Sequence, residues 1–112
     1  MEMKLGKIPF EQIKNGTKTV ELRLNDKKRS SLKIGDIINF SCVCDESLKI
    51  STEVVALHKY SSFEELFKTP LLEKSGFAGY SVKSALECMR SYYTLEDEKR
   101  YGVLGIELRL KP

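Results

Sequence analysis

The stretch Gly16-Thr17-Lys18-Thr19-Val20-Glu21-Leu22-Arg23-Leu24 carries the clearest structural signal in this chain. From Lys18 onward its polar and apolar residues alternate, which is typical of a β-strand with one buried face. The apolar face holds Val20, Leu22 and Leu24, and the other face holds Thr19, Glu21 and Arg23. The sequence therefore predicts a strand over residues 18–24 with two opposite charges on its polar face.

That polar face has two interpretations. In the first, Glu21 and Arg23 form a plain surface ion pair, worth about 0–1 kcal/mol. In the second, Lys18 joins them and the three charged side chains line a cleft. Strict alternation places Lys18 on the opposite face from Glu21, so the second interpretation requires a bulge or a loop conformation over residues 16–19. The spacing alone leaves both interpretations open.

The segments around this strand predict an α+β fold. The predicted strands cover residues 3–5, 18–24, 37–43, 48–58 and 103–108, with a hairpin turn at 45–47. The predicted helices cover residues 9–15, ended by Gly16, and three stretches that begin at Ser62, Val82 and Thr94. Together they predict a small, curled, barrel-like sheet with a helix packed against it and further short helices.

Composition narrows the class of protein. The 112 residues are 41% apolar and 31% charged, which predicts a single folded domain over residues 1–112. No apolar run is long enough to span a bilayer, and Met1-Glu2-Met3-Lys4 lacks the apolar region of a signal peptide, so we expect a cytoplasmic protein. The net charge of +3 is uneven, since residues 1–41 hold nine basic against five acidic side chains. This uneven charge is compatible with an anionic partner such as nucleic acid.

Cysteine and histidine usage argues against a metal site. Cys42, Cys44 and Cys88 are odd in number and lack CxxC spacing, and His58 is the only histidine, so four ligands are hard to assemble. We expect buried or half-buried free thiols, with Cys88 packed in a helix. His58 is expected to be a hydrogen-bonded core residue on the inner face of its strand. No cofactor motif is present, and no cofactor or obligate metal is predicted.

The order of these motifs resembles the ASCH domains of the PUA-like superfamily, over nearly the whole chain. The residues that carry the resemblance are Gly16, Lys18, Glu21, Arg23, the loop Asp26-Lys27-Lys28-Arg29, Gly35-Asp36 before an apolar strand, and Tyr101-Gly102-Val103-Leu104-Gly105-Ile106. The C-terminal part, with Tyr92-Tyr93, is similar to the small bacterial members. The resemblance implies a curled β-barrel and a cleft beside the first helix, lined by Lys18, Glu21 and Arg23. It also implies binding of RNA or a nucleotide-like ligand, in RNA metabolism or translation-linked regulation.

The resemblance implies an enzymatic alternative as well. Some superfamily members are linked to ribonuclease activity, and others are amidohydrolases of N4-acetylcytidine that use a lysine, a threonine three residues later and a distant glutamate. Here Glu21 stands at the threonine's position, which weakens that assignment. Glu21, Lys18 and Arg23 can act as base, acid and cation in RNA cleavage. They can equally bind without reacting, Arg23 to a phosphate and Glu21 to a base amine, and the sequence does not separate these possibilities.

Two further groups of residues are candidates for nucleic-acid contact. Lys27, Lys28 and Arg29 form a basic loop that is suited to phosphate contacts, although such a loop is also a common solvated turn. Tyr93 is suited to stacking on an unpaired base. Its alternative role is in the core, because it continues the apolar stripe from Met89. A protein partner in place of RNA is the remaining alternative.

Overall fold

Five strands form one mixed sheet in the computed structural model, which describes all residues from 1 to 112. The strands are β1 (Glu2–Leu5), β2 (Val20–Leu24), β3 (Ile37–Cys42), β4 (Asp45–Tyr60) and β5 (Val103–Leu110). Their order across the sheet is β1-β3-β4-β5-β2. Only the β1–β3 pair is parallel, and the other neighbours are antiparallel. The sheet curls into a half-barrel, as predicted for a PUA-like α+β fold.

Four α-helices accompany the sheet: α1 (Lys7–Asn15), α2 (Phe63–Phe67), α3 (Val82–Arg90) and α4 (Leu95–Tyr101). A π-helical segment over Glu73–Phe77 lies between α2 and α3. Helix α1 begins two residues before the predicted start and ends at Gly16, whose φ of 86° is a left-handed conformation that glycine adopts readily. Helices α2 and α4 begin where predicted, because Ser62 and Thr94 accept hydrogen bonds from the backbone N–H groups of Glu65 and Asp97. None of the helices is long and apolar enough to cross a membrane.

Two apolar clusters lie on opposite sides of the sheet. The inner cluster contains Phe10 and Ile13 of α1 together with inward side chains from β1, β3, β4 and β5. The outer cluster lies beneath α2 and α3 and includes the apolar face of β2. Strand β5 contributes to both clusters, which explains why residues 103–106 read as a continuous apolar run.

The register of β2 places its charged residues on the inner face. Glu21 pairs with Ile106 and Arg23 with Leu104, and both of these β5 residues belong to the inner cluster. Paired residues on antiparallel strands share a face of the sheet. The polar face of β2 therefore points into the curl of the sheet, while its apolar face packs beneath the helices.

The β3–β4 hairpin corrects two predictions. The turn consists of Val43 and Cys44, two residues before the predicted one, because Asp45 already pairs with Cys42. Asp45 instead forms a local turn, with Oδ1 accepting hydrogen bonds from the backbone N–H and the hydroxyl of Ser47. Cys42 and Cys44 form a disulfide, so the prediction of free thiols is wrong for this pair. Cys88 is free but exposed, which corrects its predicted packing role.

A bulge in β4 corrects the prediction for His58. The pairing with β5 shifts between Val54 and Ala56, which reverses the alternation of faces beyond that point. His58 consequently pairs with Gly105 on the outer face, where it is half-buried. Its Nε2 lies 2.9 Å from Glu107 Oε1, so it is hydrogen-bonded but not a residue of the inner core.

Candidate nucleic-acid interface

The curl of the sheet brings its two edge strands, β1 and β2, close together. Arg23 on β2 donates a hydrogen bond from Nη2 to the carbonyl oxygen of Lys4 on β1, over 3.0 Å. Between these edges lies a cleft of about 200 Å³. The cleft is lined near β1 by Lys4, Leu5, Gly6 and Pro9, and near β2 by Lys18, Glu21, Leu22 and Arg23. Met89 at the end of α3, with Tyr92 and Tyr93 just after that helix, completes the lining.

Three charged side chains meet inside this cleft, and we call Lys18, Glu21 and Arg23 the charged triad. Lys18 Nζ lies 2.9 Å from Glu21 Oε1, and Arg23 Nε donates to Glu21 Oε2 over 2.8 Å. Glu21 is only 4% exposed and Lys18 8%. The interpretation of Glu21 and Arg23 as a plain surface ion pair is therefore wrong.

A loop conformation allows Lys18 to reach Glu21 despite the alternation. Strand β2 begins at Val20, so residues 16–19 are free of the strand geometry. The loop is held by backbone hydrogen bonds from Lys18 N–H to the Gln12 carbonyl and from Thr19 N–H to the Lys74 carbonyl. Gly76 leaves room for two side chains, because a Cβ there would lie 2.8 Å from Gln12 Oε1 and 3.3 Å from Lys18 Cδ.

The triad keeps Glu21 charged. Burial by itself raises the pKa of the Glu21 carboxyl, but the nearby charges of Lys18 and Arg23, and their hydrogen bonds, outweigh burial and hold the pKa below its usual range. Each carboxylate oxygen accepts from one of the two cations and retains a further lone pair. The cleft therefore presents a fixed negative acceptor between two positive donors.

A second, basic pocket adjoins the cleft. This basic pocket, of about 350 Å³, is lined by Lys4, Arg23, Lys28 and Arg29, together with Glu2, Met3 and Ser41. Lys4 and Arg23 line both spaces, so the two are adjacent. Of the predicted basic loop, Lys28 and Arg29 line this pocket, whereas Lys27 is exposed and lines neither space. Five of the six side chains predicted to bind nucleic acid therefore line the cleft or the basic pocket, namely Lys18, Arg23, Lys28, Arg29 and Tyr93.

The two tyrosines of the cleft are placed differently. Tyr93 is half-buried, and its ring stacks on Phe63 with centroids 5.7 Å apart. Burial raises the pKa of its phenol, with smaller effects from Arg23, Glu21 and the Asp26–Arg29 pair. Tyr92 is 72% exposed at the mouth of the cleft. One ring is therefore partly committed to packing, and the other is open to a ligand.

Sequence reasoning missed Lys4 as a site residue. Lys4 lies on the short edge strand β1, and its Nζ forms an ion pair with Glu46 Oε1 at 2.7 Å. No local pattern marks Lys4, because its place in the cleft depends on the curl that brings β1 to β2.

Nowhere in the chain do three or more His, Cys, Asp or Glu side chains lie together as a metal site requires.

Comparison with known proteins defines the class. A family model described as the ASCH domain matches residues 3–112, so the chain belongs to the ASCH domain family, a family proposed to bind RNA. The resemblance inferred from the motifs is thereby confirmed. A comparison with curated proteins gave no significant match.

Solved structures agree with this assignment. The crystal structure of the hypothetical protein PH0355 is 34% identical, with a TM-score of 0.85 over 99% of this chain and 100% of that one. The solution structure of protein PF0455 from Pyrococcus furiosus is 33% identical, with a TM-score of 0.73 over 98% and 97%. The crystal structure of ASCH from Zymomonas mobilis is 13% identical, with a TM-score of 0.61 over 96% and 65%, and shows the shared fold alone.

Proposed function

We propose that this protein binds RNA or a nucleotide-like ligand, with an unpaired base in the cleft between β1 and β2. The observation that carries the proposal is the charged triad, in which Lys18, Glu21 and Arg23 meet in a buried cleft beside a basic pocket. Such a protein acts in RNA metabolism or translation-linked regulation in the cytoplasm.

The triad suits the edge of a nucleobase. Base edges combine hydrogen-bond donors, such as exocyclic amines, with ring-nitrogen and carbonyl acceptors. Glu21 supplies an acceptor, and Lys18 and Arg23 supply donors on either side of it. Burial strengthens these hydrogen bonds, because they act in a medium of lower dielectric than water.

The size of the cleft favours one base. Its volume of about 200 Å³ lies below the range of roughly 300–1,000 Å³ that holds whole drug-sized ligands. A single planar ring system is therefore the expected occupant, with the rest of the ligand outside. The exposed ring of Tyr92 at the mouth provides a stacking surface for a neighbouring base, as in many readers of single-stranded RNA.

The charge around the cleft favours an anionic ligand. Five basic side chains line the cleft and the basic pocket together, against the two acidic side chains Glu2 and Glu21. Because Lys28 forms no ion pair within the protein, its charge is available to a partner. Contacts of this kind hold an RNA backbone and make affinity depend on salt.

Catalysis by the same residues is the alternative, and the contact between Lys18 and Glu21 is the observation in its favour. The lowered pKa of Glu21 argues against it, since a carboxylate stabilised by two cations is a weak base near neutral pH. We therefore place binding first. Mass spectrometry of an RNA pool incubated with wild type and with Lys18→Ala distinguishes the two, because only an enzyme changes the masses in a Lys18-dependent way.

The proposed binding is tested by fluorescence anisotropy with a pool of short, labelled single-stranded RNA at several salt concentrations. We expect Arg23→Ala to bind about tenfold more weakly, and the slope of log affinity against log salt to fall by about 0.7. The matched control is Arg100→Ala, an exposed arginine of α4 outside both spaces, which should bind as wild type does. Equal affinity in wild type and Arg23→Ala would contradict the proposal.

A further inference from the structure

We propose that the basic pocket holds the phosphate of the same nucleotide whose base enters the cleft, so that the ligand class is a nucleoside monophosphate unit. This inference rests on the proposed function and specifies its ligand. It states that the protein recognises one nucleotide as a unit and discriminates against the corresponding free nucleoside.

The first supporting observation is that the two spaces are adjacent. Arg23 lines both, because its Nε donates to Glu21 in the cleft while its Nη2 donates to the Lys4 carbonyl at the boundary with the basic pocket. A base in contact with Glu21 therefore has its own sugar and phosphate beside Arg23. The cleft is too small for a second base, so the adjoining space receives what is attached to the first.

The composition of the basic pocket is the second argument. Four of its seven lining residues are Lys or Arg, and Glu2 is the only acidic one. Three of the four are already paired within the protein, Lys4 with Glu46, Arg23 with Glu21 and Arg29 with Asp26. Only Lys28 has no anionic partner. A phosphate dianion supplies the charge that Lys28 lacks and accepts several hydrogen bonds from guanidinium groups.

An unsatisfied donor in Arg29 is the third argument. Its Nη1 and backbone N–H both bond to Asp26, yet its buried Nε has no hydrogen-bond acceptor in the protein. Buried donors without a partner are rare in folded proteins and call for an explanation. Because this Nε has almost no exposed surface, a phosphate oxygen reaches it only when the Arg29 side chain turns into the pocket that it lines, and we infer that a bound phosphate draws it there.

The test uses the four ribonucleosides, their 5′- and 3′-monophosphates and inorganic phosphate, with affinities read from NMR titrations of amide shifts. We expect at least one monophosphate to bind about tenfold more tightly than its nucleoside. The ratio of the nucleoside Kd to the monophosphate Kd should fall towards one in Lys28→Met and in Arg29→Met. It should stay unchanged in Lys27→Met. Lys27→Met is the matched control because it removes the same charge one residue away, outside the pocket. Thermal melts check that Arg29→Met, which exposes Asp26, is folded.

Each contrary outcome has a separate meaning. A nucleoside that binds in the cleft as tightly as its monophosphate overturns the inference but leaves the proposed function standing. An equal loss of monophosphate affinity in Lys27→Met and Lys28→Met also overturns the inference, because the affinity would then depend on the overall charge of the loop and not on the basic pocket. If inorganic phosphate shifts the amides of Lys28 and Arg29 while no nucleoside or nucleotide adds anything, the nucleotide assignment and the proposed function both fail.

Discussion

The molecule buries two glutamates with equal thoroughness and uses them differently. Glu21 is 4% exposed and Glu98 is 2% exposed, and each is paired with an arginine. The partners of Glu98 all belong to the fold: Oε1 accepts from the Phe63 N–H at the start of α2, and Oε2 pairs with Arg90. The partners of Glu21 instead line a cleft that is open to a ligand.

The contrast between Glu21 and Glu98 distinguishes a buried charge that serves the fold from one that is available to a ligand. Arg90 also donates from Nη1 to the carbonyl of Tyr93, so the Glu98 cluster ties together α2, α3 and the segment after it. Neither Glu98 nor Arg90 lines the cleft or the basic pocket, although Arg90 also lines the open groove between α2 and α3. The charged triad keeps spare donors and acceptors at a concave surface. Burial alone therefore says little about function, and the direction of the unused hydrogen-bonding groups says more.

The largest expected effect is on stability, from Glu98→Ala. Removing this carboxylate leaves the Arg90 guanidinium and the Phe63 N–H without their partner, which should lower the free energy of unfolding by about 3 kcal/mol. Urea unfolding followed by circular dichroism measures the change. RNA affinity per folded molecule should be unaltered, and a specific loss of affinity in a fully folded sample would break the distinction between the two glutamates.

Glu21→Gln should alter RNA affinity more than stability, which is the opposite of the effect expected for Glu98→Ala. It removes the acceptor charge of the cleft, so we expect affinity for the RNA pool to change by about tenfold, equivalent to roughly 1.4 kcal/mol. Its cost in stability should be smaller than that of Glu98→Ala, because the glutamine amide oxygen still accepts a hydrogen bond from Lys18 or Arg23, whereas alanine leaves the Arg90 guanidinium and the Phe63 N–H with no acceptor. Anisotropy and urea unfolding on the same preparation give both numbers. A variant less stable than Glu98→Ala with unchanged affinity would show that Glu21 is structural.

The smallest expected effect is a difference in acid sensitivity. The pKa of Glu21 is lowered in the fold, so its stabilising contribution is complete above the ordinary glutamate pKa of about 4.3 and disappears as pH falls through the lowered value. Between pH 5 and pH 2, wild type should therefore lose more stability than Glu21→Gln. Parallel curves of stability against pH would contradict the lowered pKa.

Much of the fold is predictable from sequence because its signals are local. Period-two alternation marks β2, apolar runs mark β3 and β5, and Ser62 and Thr94 mark helix starts. The pattern of β2 also indicates a charged face. The pattern does not predict that the apolar face of β2 packs beneath helices while its charged face turns inward. This orientation depends on the pairing of β2 with β5, some eighty residues further along the chain.

The errors have non-local causes as well. A single extra residue at Val55 reverses the face of His58, and no residue type there announces a bulge. The hairpin turn shifts because Cys42 pairs with Asp45 across a turn that also carries the disulfide. At the start of α2, the Phe63 N–H donates to the carboxylate of Glu98, which lies 35 residues further along the chain. Pairwise contacts at such separation leave no periodic signal.

The most direct test of the central claim is an amide chemical-shift map recorded with a short single-stranded RNA. Binding in the cleft should shift amides of β1 around Lys4, the segment from Lys18 to Arg23, the pair Tyr92–Tyr93 and the loop at Lys28–Arg29. The open groove between α2 and α3, which contains Lys68 and Lys83, should be unaffected and serves as an internal control. Shifts confined to that groove, with none around Glu21, would contradict the account.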